Sequence, residues 1–101
     1  MTRIELAPGV VEDFARILEH LVANAAEAPA NRMREIIAAL DILALNPLIG
    51  RPTDNDLREL IIGRGAHGYL ALYRFLDDID TVFVIGVSSQ REAGYAESEG
   101  R

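Results

Sequence analysis

An α+β fold, a helical hairpin packed on one face of a four-stranded, mostly antiparallel sheet, follows from three features of this 101-residue sequence. Residues 57–63, 68–75 and 81–88 read as three consecutive strands, rich in β-branched and aromatic residues and separated by polar or glycine-rich connections. Two segments ahead of them place apolar residues at three- and four-residue steps, the mark of amphipathic helices. A short alternating run precedes both helices, so the element order is strand, helix, helix, strand, strand, strand.

The first strand covers Arg3 to Ala7, with Ile4 and Leu6 on one side and Arg3 and Glu5 on the other. Pro8-Gly9 ends it. The first helix runs from Val10 to Ala25 on a stripe of Val10, Phe14, Ile17, Leu18 and Leu21, with Glu12 and Asp13 in its first turn, where the helix dipole favours acids. Glu27 to Ala30 breaks the pattern, because proline disfavours helical geometry in the residue before it. The second helix spans Pro29 to Leu45 on Met33, Ile36, Ile37, Leu40 and Leu43, and Asn46-Pro47 stops it. Residues 48–56 are loop-like in composition.

Within the strand block, Gly63 to Gly68 is a glycine-rich connection and Asp77 to Asp80 a polar hairpin loop. Glycines at 63, 65 and 68 imitate a nucleotide-binding spacing, but no helix follows to offer its N-terminus to a phosphate. The last strand is apolar on both sides, which predicts an interior strand covered on both faces. The first strand must pair with this sheet, since an isolated strand leaves its backbone groups unsatisfied. Residues 97–101 are expected to fray.

The whole chain, residues 1–101, reads as one domain with a single core. No apolar run approaches the ~20 residues of a membrane span, and the N-terminus lacks the apolar core of a secretion signal, so a cytoplasmic protein is expected. Absence of cysteine rules out disulfides and thiolate metal sites. The two histidines are far apart and the acids lack calcium-loop spacing, so neither metal nor cofactor is expected. Ten arginines and no lysine face sixteen acids, for a net charge of −6. Only residues 51–76, with four arginines and three acids, escape the acidic balance. A nucleic-acid binder usually carries a strongly basic footprint, and this chain has none overall.

Chemistry-bearing candidates concentrate on the strand block and its tail. Arg58, Arg64, Arg74 and Arg91 can clamp an anion but are poor bases, which leaves His67 and Tyr95 for proton transfer. Each also has a plain structural reading. Arg58 with Glu59, and Arg74 with Asp77 or Asp78, form surface ion pairs of little worth in that reading. Tyr69 and Tyr73 share one side of a strand, as rim residues with the hydroxyl at the surface. His67 is an exposed turn residue, Tyr95 packs over the sheet edge, and His20 sits on the polar side of the first helix.

Several segments resemble the RelE/ParE toxins of type II toxin–antitoxin systems, often described as plasmid stabilisation proteins. Asn46-Pro47-Leu48-Ile49-Gly50-Arg51-Pro52 resembles the connection after the second helix, and Leu57-Arg58-Glu59-Leu60 the opening of the next strand. Tyr69 to Arg74 is similar to the "YxxxYR" strand, and Val82 to Val87 followed by Arg91 to the last strand and its trailing arginine. The resemblance spans nearly the whole chain. It implies a toxin neutralised by a cognate antitoxin whose C-terminal segment covers helices and sheet, either as a toxin–antitoxin hetero-oligomer or beside a homodimer. ParE-type members poison DNA gyrase; RelE-type members cleave messenger RNA in the ribosome with arginines, lysines and often a C-terminal tyrosine. Here Leu70 stands where nucleases often carry a basic group, there is no lysine, and Arg74 falls one step after the second tyrosine. The ParE-like, non-enzymatic reading with gyrase as target therefore leads, with Arg58, Arg64, His67, Tyr69 and Tyr73 meeting target or antitoxin. A metal-independent ribosome-dependent endoribonuclease with Arg74, Arg91 and Tyr95 in its site is the alternative, and an inactive antitoxin-binding member the third.

Overall fold

The computed structural model describes residues 1–24, 28–63 and 68–90. β1 (Arg3–Leu6) leads into α1 (Pro8–Ala23), and α2 (Pro29–Ile42) completes the hairpin. β2 (Arg51–Pro52), β3 (Arg58–Ile62), β4 (Tyr69–Leu76) and β5 (Thr81–Ser89) follow. The spatial order is β1-β5-β4-β3-β2, antiparallel except for the parallel pair of β1 and β5. The first strand thus pairs with the last, meeting the demand of its backbone groups.

Five strands replace the expected four. β2 lies inside the segment read as a loop, with Arg51 opposite Glu59 and Pro52 opposite Arg58. A proline that cannot donate is tolerated there because β2 is an edge strand only two residues long. α1 begins two residues before its expected start. Proline at the first helical position loses an N–H that would have had no helical partner anyway, so Pro8 starts the helix instead of ending the strand. Glu12 and Asp13 consequently lie beyond the first turn, which holds no acid. α2 stops at Ile42, and residues 43–45 wind on through bonds to the third residue back, a tighter coil that ends before Asn46-Pro47.

The helices cover one face of the sheet. Val10, Ile17 and Leu21 of α1, and Ile36 and Leu40 of α2 with Leu43 just beyond it, are buried against Tyr69, Ala71, Tyr73, Val82, Val84 and Val87. Leu18 and Ile37 belong to the predicted stripes yet remain exposed. β5 is interior but flanked on both sides only over Thr81 to Val84, where β1 pairs with it. Its two faces are not equally covered: Val82 and Val84 are fully buried, whereas Phe83 is half-buried. The register passes from Leu72–Gly86 to Tyr73–Val84, so Ile85 bulges out of the ladder, exposed. The expectation of a doubly covered strand fails because both helices sit on the same face. No described helix is long and apolar enough to cross a membrane.

Candidate functional site

Alternation along β4 sends Tyr69, Ala71, Tyr73 and Phe75 toward the helices and Leu70, Leu72, Arg74 and Leu76 to the open face. Tyr73 is fully buried, so its hydroxyl is not at the surface as expected. The Gly50 N–H donates to the Tyr73 hydroxyl at 2.8 Å, and that hydroxyl donates to the Pro47 carbonyl at 2.8 Å. An added Cβ at Gly50 would lie 2.6 Å from the Tyr73 ring, so only glycine fits the approach. Burial pushes the Tyr73 phenol above its usual value; the Gly50 N–H and the Arg58 charge, which favour the phenolate, offset this only in part.

Arg58 is opposite Tyr73 in the β3–β4 register and therefore shares the helix side. Its Nη1 donates to the Leu48 carbonyl at 3.1 Å and the Gly50 carbonyl at 2.8 Å. Tyr73 and Arg58 together fasten the 47–50 loop beneath the sheet. The expected Arg58–Glu59 pair does not form, since consecutive strand residues point to opposite faces. Glu59 instead pairs across the ladder with Arg51 at 2.9 Å.

Arg74 lies on the open face, opposite Phe83 of β5. Its Nη2 donates to the Asn55 carbonyl at 3.0 Å, and its buried Nε has no partner among the described residues. The expected contact with Asp77 or Asp78 is absent: the 54–56 turn, with Asn55 in a left-handed conformation, brings a carbonyl to the guanidinium instead. Leu70 is buried on this open face between Ile61 and Ser88, so no charge stands there. Arg58 and Arg74 are thus near each other in register but on opposite faces, each held by backbone carbonyls. Tyr69 is buried on the helix side. Arg64, His67, Arg91 and Tyr95 lie outside the described residues. Among the described residues no three His, Cys, Asp or Glu side chains converge to hold a metal ion.

Sequence reasoning missed a second polar device. Beyond Val84, no described strand lies on the outer side of β5, and α1 supplies partners to its backbone there. The Val87 N–H donates to Asp13 Oδ2 at 2.9 Å, and Arg16 Nη2 donates to the Val87 carbonyl at 3.3 Å. Arg16 also pairs with Asp13 at 2.9 Å. The signal was an acid and a base three apart on α1, facing a strand longer than its neighbour. On the outward side of the same helix, Val11, Leu18 and Val22 are exposed at spacings of seven and four residues, which aligns them in one apolar stripe. His20 is exposed on α1 beside Asn24, whose side chain donates to the His20 carbonyl.

Comparison with known proteins places this architecture. The model of the ParE toxin of type II toxin–antitoxin system, parDE, matches residues 4–94. Toxin RelE3 of Caulobacter vibrioides is 30% identical over 91 residues, covering 90% of this chain and 99% of that protein. The chromosomal ParDE toxin–antitoxin system from P. aeruginosa contains a chain that superposes with a TM-score of 0.71 at 18% identity, covering 88% of this chain and 96% of its own. A free mutant of E. coli toxin RelE superposes at 0.63 with 17% identity, covering 97% and 92%. At these identities the two structures show a shared fold. With the family match extending over almost the full sequence, the chain belongs to the ParE toxin family of type II toxin–antitoxin systems, within the RelE/ParE superfamily.

Proposed function

We propose that this toxin acts by protein contact, with DNA gyrase as its target, and is neutralised by a cognate antitoxin. One observation carries the choice: among the described residues the cations of β2, β3 and β4 are engaged by the fold, and Arg58 and Arg74 lie on opposite faces of the sheet. Arg58 serves backbone carbonyls on the helix side, Arg74 serves Asn55 on the open face, and Arg51 is paired with Glu59. A metal-free nuclease needs several cations gathered on one developing phosphorane charge. A surface that meets another protein has no such requirement.

The antitoxin reading is supported by similar structures that are toxin–antitoxin complexes, among them RelBE2 from Mycobacterium tuberculosis. It is supported also by the Val11–Leu18–Val22 stripe, the apolar face into which an amphipathic partner segment packs. A ribosome-dependent endoribonuclease is the second reading. It is favoured by the relative named Toxin RelE3 and by Arg74 beside Phe83 on the open face.

Induced expression in a host lacking the antitoxin tests the reading. Growth should stop, with a DNA-damage response and with transcript levels intact, and co-expression of the neighbouring antitoxin gene should restore growth. Arrest accompanied by cleaved messenger RNA selects the nuclease. Unchanged growth selects an inactive antitoxin-binding member.

A further inference from the structure

β5 has nine residues and β1, its outer neighbour, only four, so their pairing covers Thr81 to Val84 and no more. The last bond from the β1 side runs from the Ala7 N–H to the Val84 carbonyl at 2.9 Å. Ile85 then bulges out of the ladder. A strand end beyond such a break opens readily unless something else holds its backbone. Val87 turns both of its outer groups to α1. Its N–H donates to Asp13 Oδ2 at 2.9 Å, and its carbonyl accepts from Arg16 Nη2 at 3.3 Å. A strand residue sends its N–H and carbonyl to the same side, so these two side chains stand where the backbone of a longer β1 would stand. Arg16 Nη1 also donates to Asp13 Oδ1 at 2.9 Å, which fixes each by the other.

A third tie closes the inner side. The Gln90 N–H donates to the Gly68 carbonyl at 3.0 Å, and Gln90 is buried. Its side-chain amide lies so close to Gly68 that an added Cβ there would collide with it. The end of β5 is therefore clamped from α1 on one side and from Gly68, just ahead of β4, on the other. An exposed Asp–Arg pair three apart on a helix is worth little as an ion pair. Its value here is the backbone it grips, since the bond from Val87 to a carboxylate is charge-assisted. We infer that Asp13 and Arg16 are positioning residues: they hold Val87 to Gln90 in place, and growth arrest by the toxin depends on that placement. Arg91 is the next residue in the sequence and Tyr95 follows four later, so the place where β5 ends bears on either target. The inference rests on the toxin reading and not on the choice between gyrase and messenger RNA.

Amide hydrogen exchange of the full-length protein, read beside growth arrest on induction, tests the role. Asp13→Ala should speed exchange at residues 86–89 about tenfold, the ratio for one lost hydrogen bond, and leave residues 81–84 as slow as before. At equal protein level the same variant should lose growth arrest, at a temperature where its thermal unfolding curve shows it folded. Asp13→Asn keeps a side-chain oxygen to accept from Val87 and removes only the charge. It should therefore recover both the slow exchange and most of the arrest. Rates at 86–89 that do not move, or that rise in step with those at 81–84, would overturn the hold. A wild type that arrests growth and an Asp13→Ala variant that arrests it equally would overturn the positioning role alone. A wild type that leaves growth unchanged would contradict the toxin reading itself, and the role with it.

Discussion

Replacing Tyr73 with phenylalanine is expected to lower the free energy of unfolding by about 2–3 kcal/mol, because a buried N–H and a half-buried carbonyl lose their partner at once. The ring still fills its place in the core. What disappears is the acceptor for the Gly50 N–H and the donor to the Pro47 carbonyl. Water cannot readily replace the contact to Gly50, since both residues are buried. For a domain of this size the thermal midpoint should fall by about 10 °C or more. The same phenol predicts a pH effect. Its value in the folded protein is raised above 10.0, so its contribution is complete below pH 10 and is lost as pH rises through the folded value. Calorimetry of wild type and Tyr73→Phe from neutral to alkaline pH checks both parts. The wild type should lose stability steeply on the alkaline side and the variant less so. A change below about 0.5 kcal/mol at neutral pH, within the range of ordinary surface substitutions, would mean that the hydroxyl is not what fastens the loop.

The second large effect concerns binding. Leu18→Asp together with Val22→Asp should weaken antitoxin binding about 100-fold, the loss expected when two apolar anchors of one helix face become charged. The pair lies on the outward stripe of α1, 41% and 61% exposed, so the folded chain has little to lose. Titration calorimetry with the purified antitoxin measures the change, and the thermal midpoint of the free variant controls for folding. Unaltered affinity with unaltered stability would remove α1 from the antitoxin contact.

Local period accounts for most of what the sequence revealed. Val10, Ile17 and Leu21 repeat as a helix must, and their burial follows. Tyr69 to Phe75 alternate as a strand must, and their division between two faces follows. Period does not report depth, which is why the Tyr73 hydroxyl was expected at the rim. Nor does it report register. Whether Arg58 and Arg74 share a face depends on which residue of β4 lies opposite Arg58, a non-local fact that the two strand sequences do not contain. The bulge at Ile85 and the Asp13–Arg16 hold on Val87 arise from the mismatch between a four-residue β1 and a nine-residue β5, visible only once the two are paired. β2 was illegible because Arg-Pro reads as loop wherever it is not on an edge. The Asn46–Pro52 connection was recognisable by its residues, while the reason for Gly50, a tyrosine ring 2.6 Å from its absent Cβ, needed coordinates.

The claim that this family member works through a protein surface is tested most directly by a DNA supercoiling assay with purified gyrase and the purified full-length chain, run beside a ribosome-dependent messenger RNA cleavage assay on the same preparation. Supercoiling should be inhibited in proportion to added protein and rescued by antitoxin, while the messenger RNA stays whole. Undisturbed supercoiling together with cleaved messenger RNA would contradict the account.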